Sequence, residues 1–390
     1  AMRLSGSVQT LDSDVLKNIK RSNISGDSLM QLAVEAAEID ADSRSEIILG
    51  LPGESLKSHF QTIDTVIDAR FNHVNTYQLM MLPGTEIDSP ETRQKFDMKT
   101  RFRILPRCFG YYDVLGKQMV AAEIEEVCVS TNTLSFEDYI KCRKMHLLIH
   151  IYHNDGLFNT ALEFIKFLKL SPYGWLKLLF EEKMIGGVKE LFEKYQQDTR
   201  QELWLNRDEL VQNIQNPGVV DSYISGDLGY NLLFVHKAIA MSRFVPDLKK
   251  FAKLTLEKLL SENNLNSIKN LDFLNDALNY DACSISNIFE NLEKTPTVDM
   301  KYDVQKLISE KNKKLEEFQF KKPTTISFTM NESQRDILTR SLELYGSTDL
   351  GVSRILTKVF VKKILRTGSI PDKSQKSDIQ IKNAADWPYC

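Results

Sequence analysis

At 390 residues, with 42% hydrophobic and 26% charged residues, the chain has room for two or three globular domains and the composition of an ordinary folded protein. A formal net charge of −3 gives no electrostatic reason to expect nucleic acid or an anionic membrane as a partner. No apolar run approaches the ~20 residues that span a bilayer, and no basic-then-apolar leader opens the chain, so a cytoplasmic location is expected.

Met2–Gln9 is a short β-compatible run, met directly at Ala1 as though at a cut edge. Asp12–Lys20 and Ser28–Ile39 carry helical spacing, with Asp12 and Asp27 as N-caps. Glu46–Leu51 is a β-branched apolar run ended by Pro52-Gly53, which predicts a buried parallel strand. Glu54–Arg70 places Leu56, Phe60, Ile63, Val66 and Ile67 on one helical stripe, and His73–Leu82 is the next strand, stopped by Pro83-Gly84. Strand, helix, strand, helix, strand in this order predicts parallel pairing with right-handed crossovers.

The character changes from about Ser89. Glu91–Gly116 is charged and aromatic with little regular period. Helices are expected over Ala121–Val129, Phe136–Tyr152, Phe158–Leu170, Trp175–Tyr195 and Thr199–Gln212. Asn213–Gly229 reads as a loop, Tyr230–Glu262 as helix, and Asn263–Thr297 is polar with no assignable period. Lys306–Phe320 suits a charged solvated helix, and the cationic stretch Lys306–Lys322 is broken by Glu310, Glu316 and Glu317. Thr324–Met330 is strand-like, with helices over Glu332–Tyr345 and Gly351–Arg366 and a polar tail from Ser369. The division is therefore 1–88 as an α/β segment, 89–212 and 213–300 as helical regions, 301–368 as a charged helix with a strand-helix-helix module, and 369–390 as tail.

Five cysteines, Cys108, Cys128, Cys142, Cys283 and Cys390, lie too far apart for any C-x-x-C pattern and read as reduced structural thiols. His146, His150 and His153 share one face of an ideal helix, yet the apolar residues between them favour burial over a zinc site, so no metal is expected. Thr324–Arg366 has the order of a ribbon–helix–helix unit without basic base-reading residues, which favours a packing module. Phe109, Tyr111 and Tyr112, near Arg107 and Cys108, suit core packing better than closure over a site.

The chemistry rests on the turn Gly50-Leu51-Pro52-Gly53-Glu54, which in a parallel α/β layout lies at a strand's C-terminal end, where such folds place ligands. Its glycines admit close backbone approach. Three motifs follow one another: LSGSVQTLDSDVLKNIKR (Leu4–Arg21), EIILGLPGES (Glu46–Ser55) and VNTYQLMMLPGTEI (Val74–Ile87). The succession resembles strands four, five and six of the radical S-adenosylmethionine partial TIM barrel, nearest the branch of the tRNA methylthiotransferases and cobalamin-binding enzymes. The resemblance implies an α/β chain, then mainly α: the C-terminal half of a parallel (β/α) partial barrel followed by a helical extension. It implies that Ser7 and Gln9 face the cofactor ribose or the substrate cavity, and that Arg21 pairs with the methionyl carboxylate. Ile48, Gly50, Leu51 and Pro52 would flank the adenine, Gln78 would reach substrate, and Gln9, Gly50 and Gln78 would open on one nucleoside-sized space. Glu54 would cap the following helix, and Glu46 stands where many relatives carry glycine.

The implied cofactors are S-adenosylmethionine and a [4Fe–4S] cluster, with cobalamin as a further candidate. The cluster cysteines and the Gly-Gly-Glu stretch of the family are absent from the sequence. The expectation is thus a fragment of a radical enzyme, inactive by itself, with a missing N-terminal half as its covalent partner and an unassigned substrate. Two alternatives stay open: a degenerate half-barrel acting as a binding or scaffold protein, and an ordinary α/β cofactor protein with a coincidental turn.

Overall fold

The computed structural model describes residues 3–22, 28, 31, 35, 42–225, 228–310 and 313–371. Of the expected helix Ser28–Ile39 only residues 28, 31 and 35 are described, each helical, and its other residues, the Asp27 cap and the tail beyond 371 lie outside the described residues. The chain divides into two compact units, one of residues 1–147 and 193–233, the other of residues 148–192 and 234–390.

The first unit opens as the punctuation of the sequence dictates. Strand β1 (Arg3–Gln9) leads to helix α1 (Ser13–Asn18), where the Asp12 side chain accepts from the backbone N–H groups of Asp14 and Val15. Strand β2 (Asp42–Leu49), helix α2 (Leu56–Asp68) and strand β3 (His73–Gln78) follow. The strands pair in parallel in the order β1-β2-β3. Register fixes the faces, because residues directly opposite one another across parallel strands point the same way. Ser45, Ile47 and Leu49 of β2 stand opposite Val74, Thr76 and Gln78 of β3, and all but Gln78 are buried. Arg44, Glu46 and Ile48 stand opposite His73, Asn75 and Tyr77 on the other face, where Glu46 and Ile48 are half-buried and Tyr77 is exposed. Helix α2 buries Ile63, Val66 and Ile67 from the expected stripe.

Helix α3 (Pro90–Lys95) precedes a long antiparallel ribbon of β4 (Lys99–Val114) and β5 (Lys117–Ser130). This corrects two expectations: Glu91–Gly116 is largely regular, and Ala121–Val129 is strand. Ala121, Ala122, Glu123, Glu125 and Glu126 are helix formers by propensity, but cross-strand pairing decides. Met119, Ala121 and Glu123 are exposed while Val120, Ala122 and Ile124 are half-buried, the period of two that a strand requires. Leu115 (φ 55°) and Gly116 (φ 75°) form the tight left-handed pair that suits a two-residue hairpin. Irregular pairing between Ile104 and Phe109 re-aims the strand. Phe109 then meets the Tyr223 ring at 5.1 Å, whereas Tyr111 and Tyr112 are exposed. Helix α4 spans Phe136–Leu148, and Ile149–His153 forms a π-helical turn, so the expected single helix to Tyr152 changes pitch and the three histidines lose their common face. The first unit also holds the helices Arg207–Ile214 and Val219–Ser225, the second of them inside the expected loop Asn213–Gly229.

The second unit is helical around one aromatic core: the Trp175 ring lies edge-on to Tyr152 at 5.6 Å, and its indole N–H donates to Thr255 Oγ1 at 2.9 Å. The expected helix Tyr230–Glu262 is two, Leu232–Arg243 and Val245–Glu262, broken where Pro246 cannot donate to the preceding turn. Asn263–Thr297 contains the helix Ile268–Ile285. The expected charged helix Lys306–Phe320 is instead a short helix Val304–Ser309 and a 3-10 turn Leu315–Phe318, and the helix expected over Gly351–Arg366 runs Asp349–Lys358. Strands β6 (Thr297–Tyr302), β7 (Gln319–Thr329) and β8 (Thr367–Ser369) form an antiparallel sheet in that order. With β7 paired on both edges, the strand-helix-helix order is part of a packed sheet. Among the described residues no helix is long and apolar enough to cross a membrane.

Asp281 is buried in this unit and accepts from the backbone N–H groups of Thr160 and Ala161, each at 3.0 Å, closing the first turn of the helix Asn159–Phe167 from a distant element. Burial pushes its carboxyl up to about 7, against the lowering effect of those donors. A folded-state value raised above the unfolded value (roughly 3.9) makes a stability contribution that is full below pH ~4 and is lost as pH rises towards 7. The stability of the protein relative to an Asp281→Asn variant should therefore fall by up to about 1.4 kcal/mol per pH unit between pH 5 and 7. Denaturant unfolding at pH 5, 6 and 7 measures this; a constant difference contradicts it.

Candidate active site at the ends of the parallel strands

The C-terminal ends of β1, β2 and β3 lie side by side, since Gln9 pairs with Ile47 and Leu49 with Gln78. Beyond β1 the chain turns sharply at Gln9 (φ 57°), and the Thr10 N–H donates to Val8 O at 2.6 Å. Arg21, just past α1, folds back and donates through Nη2 to Ser7 O at 2.9 Å. An exposed guanidinium is thereby set at the strand end that carries Ser7 and Gln9, both half-buried. Ser7 stands opposite Glu46, on the face shared with Ile48 and Tyr77. The Tyr77 phenol is pushed above its ordinary value by partial burial and then by Glu46.

The turn after β2 is built from within. Gly50 (φ 92°) and Gly53 (φ 89°) occupy left-handed conformations. A Cβ on Gly50 would stand 3.0 Å from Cys128 O of β5, and one on Gly53 would stand 2.6 Å from Asn18 Nδ2. The close approaches that demand glycine thus come from the protein itself. Asn18 Nδ2 donates to Pro52 O at 3.0 Å, tying α1 to the turn. Gly50, Leu51 and Pro52 are buried, and Leu51 packs with Val15, Leu79, Met81, Phe96, Met98 and Cys128, with Ile48 at the margin of that cluster. Of the residues expected to flank a nucleobase, Ile48 is half-buried and the other three are buried.

Glu54 departs from its expected role. Ser55 caps α2, accepting from Ser58 N at 3.1 Å in a reciprocal capping box. The Glu54 side chain is fully buried: Oε2 accepts from Gly50 N–H at 2.7 Å and Oε1 lies 2.9 Å from His59 Nδ1. His59 Nε2 lies 2.8 Å from His146 Nε2 of α4, and Arg143 Nη1 reaches His146 Nδ1 at 3.5 Å. All four side chains are buried. Sequence reading missed His59, His146 and Arg143 as one group; the available signal was a histidine five residues after an acid on the buried stripe of α2.

Gln78 belongs to a second buried network. Its Oε1 accepts from Arg103 Nη2 at 2.9 Å, while Arg103 Nη1 donates to Glu202 at 2.9 Å and Nε donates to Glu125. Burial alone would lower Arg103, but Glu202 and Glu125 hold it above the ordinary guanidinium value. Because Gln78 stands opposite Leu49, it faces away from Ser7, Glu46 and Ile48. The strand ends therefore bring Ser7, Arg21 and Ile48 to one face, while a register shift sets Gln9 opposite Ile47, Gly50 is buried and Gln78 turns towards the β4–β5 ribbon, so the space expected to be shared by Gln9, Gly50 and Gln78 is not formed.

No disulfide joins the described cysteines. Cys108 is exposed, Cys128 and Cys142 are buried in the first unit, and Cys283 is buried in the second. Burial pushes the Cys128 thiol up to about 12 and Cys142 well above its ordinary value, which opposes the thiolate a metal needs. His150 packs edge-on to Phe234 at 5.5 Å. Among the described residues no group of three His, Cys, Asp or Glu side chains could hold a metal ion.

No family model matches the chain. Over 150 residues it is 29% identical to a 2-(S-pantetheinyl)-carbapenam-3-carboxylate methyltransferase of Streptantibioticus cattleyicolor, a match covering 38% of this chain and 21% of that protein. The cobalamin-dependent radical SAM methyltransferase TokK of Streptomyces tokunonensis is 28% identical over the same lengths. The heme chaperone HemW of Buchnera aphidicola is 28% identical over 145 residues, 35% of this chain and 38% of that protein. The chain thus spans about a fifth of the two methyltransferases and under two fifths of the chaperone. These similarities support the radical S-adenosylmethionine superfamily for that part of the chain.

Proposed function

We propose that the first unit supplies one half of an S-adenosylmethionine site in a radical enzyme, and that the cluster-bearing half comes from polypeptide outside this sequence. The observation that supports the proposal is the exposed Arg21 guanidinium folded onto Ser7 O at the end of a parallel strand whose Ser7 shares a face with the half-buried Ile48. The chemistry of this donor set suits the ligand. A planar guanidinium fork matches two carboxylate oxygens, a serine hydroxyl matches a ribose hydroxyl, and a half-buried isoleucine offers an apolar surface to a purine. Gln78 acts through Arg103, holding β3 against the ribbon rather than touching the cofactor.

An iron–sulfur cluster does not fit the described cysteines of the first unit, since they are dispersed along the sequence and burial pushes the Cys128 and Cys142 thiols up. This chain's own part is binding and orientation: Arg21 holds the amino-acid end, and Ser7 and Ile48 hold the nucleoside end. Methyl transfer is the reaction class suggested by two of the relatives, with cobalamin as an accessory cofactor; the substrate has no counterpart in the residues of this unit.

The dispersed cysteines favour one second reading, a half-barrel binding or scaffold protein without catalysis. The coding region upstream of Ala1 separates the two. The enzyme reading expects an in-frame C-x-x-x-C-x-x-C segment, and the extended polypeptide, reconstituted anaerobically with iron and sulfide, should release 5′-deoxyadenosine from S-adenosylmethionine. Absence of such a frame, or a reconstituted polypeptide that leaves the cofactor intact, supports the scaffold.

A further inference from the structure

We infer that Glu54, His59, His146 and Arg143 form a proton-ordered relay that positions the Gly50–Glu54 turn, with His59 fixed as the Nδ1–H tautomer and His146 as the Nε2–H tautomer. The inference goes beyond the proposed cofactor site by assigning a role to side chains that do not touch it, and only its ligand-binding arm rests on that reading.

The direction of every proton follows from what the two ends can do. A guanidinium only donates, and a carboxylate only accepts. Arg143 Nη1 therefore donates to His146 Nδ1, which must carry a lone pair. A neutral imidazole bears one N–H, so the proton of His146 sits on Nε2 and points at His59 Nε2, 2.8 Å away. His59 Nε2 is then an acceptor and Nδ1 carries the proton, which it donates to Glu54 Oε1 at 2.9 Å. The other carboxylate oxygen receives the Gly50 N–H at 2.7 Å. Reversing either ring places two lone pairs or two N–H groups face to face in a fully buried site, where an unmet polar group is costly. A second proton on His59 would set two N–H groups face to face at the Nε2–Nε2 contact, and one on His146 would set its Nδ1–H against the Arg143 guanidinium.

The groups at the ends are well placed for this task. The Arg143 guanidinium also lies over the Tyr195 ring at 5.7 Å, and the imidazole rings are tilted at 52° with centroids 5.1 Å apart. A positive end on α4 and a negative end at the turn are joined through two neutral rings. The Gly50 amide, which a turn of this shape would otherwise turn outward, is drawn inward by Glu54. Thr133 Oγ1 donates to Glu54 O at 2.7 Å, so the backbone of the same residue is held as well. His59 and His146 are positioning residues, since they act through Glu54.

Long-range ¹H–¹⁵N spectra of the full chain labelled at histidine nitrogen test the tautomers directly. Two neutral rings of opposite tautomer are expected; two rings of the same tautomer, or a cationic ring at neutral pH, overturn the relay. A pair of variants tests positioning. In His146→Gln the amide oxygen can accept from Arg143 and the amide N–H can donate to His59, so the polarity survives; in His146→Leu both are lost. Gly50 amide exchange should stay near the parent rate in the Gln variant and rise about tenfold in the Leu variant, the size of one lost buried hydrogen bond to a charged group. A folded Leu variant with unchanged Gly50 exchange overturns the inference, and if that variant does not fold, the tautomer spectra decide. S-adenosylhomocysteine affinity should follow the same order, parent and Gln above Leu. Should no form bind the ligand while the spectra and exchange behave as expected, the cofactor reading fails and the relay stands.

Discussion

Replacing Arg103 with methionine is expected to destabilise the first unit by about 3–5 kcal/mol, the usual cost of removing one partner from a buried ion pair. The side chain is only 13% exposed, and Glu125 beside it only 4%. Its three nitrogens serve Glu125, Glu202 and Gln78, so deletion leaves two carboxylates and an amide oxygen without their shared donor. A lysine at this position carries one nitrogen and cannot span three acceptors on different elements, so Arg103→Lys should recover only a minor part. The second change, Glu125→Gln in the methionine background, should restore stability, because it removes one of the stranded charges. Denaturant unfolding followed through the tryptophans measures all three; a loss under about 1 kcal/mol for Arg103→Met would place the cluster with weak surface pairs.

Arg366 is the corresponding point in the second unit. It is 2% exposed and pairs with carbonyls rather than carboxylates: Nε donates to Lys294 O at 3.0 Å, Nη2 to Asn291 O at 2.6 Å, and Nη1 to Ser286 O. Those carbonyls belong to the segment leading into β6, and the Arg366 N–H itself donates to Ser284 O at 3.1 Å. One fork thus fastens a loop that has little regular hydrogen bonding of its own. Arg366→Met should cost about 2–3 kcal/mol, because the stranded Ser286 carbonyl is buried and carries a desolvation penalty of ~1–3 kcal/mol, while the part-buried Asn291 and Lys294 carbonyls add less. Amide exchange should accelerate over residues 286–294 and in β8 before the aromatic core around Trp175 responds. Uniform acceleration across the unit would mean that the loop has no independent opening.

The alternation of β1, α1, β2, α2 and β3 was legible because Pro and Gly punctuate it and because α2 carries an unbroken apolar stripe. The ribbon was not. Ala121, Ala122 and three nearby glutamates favour helix locally, and only pairing with β4 reveals their two-residue period. Gln78 and Gln9 both lie at strand ends in the sequence, but which face Gln78 takes depends on its register with Leu49, a property of the pair and not of either strand. Glu54 reads as the acid of a helix start, yet its side chain pairs with Gly50 N–H and His59, and His59 in turn meets a histidine 87 residues further along the chain. In the second unit β6 and β8 are short and far apart in sequence, and β6 becomes a strand by pairing with β7. Local chemistry therefore marks the turn, and long-range packing decides what holds it.

On the proposed function, Arg21, Ser7 and Ile48 face one S-adenosyl ligand. Titration calorimetry of the chain with S-adenosylhomocysteine, the unreactive analogue, tests it most directly. Saturable binding is predicted, weakened about tenfold or more by Arg21→Ala, the loss expected for a charge-assisted carboxylate pair, with the melting temperature unchanged because Arg21 is exposed. Absence of saturable binding, or an Arg21→Ala variant that binds as the parent does, would contradict the account.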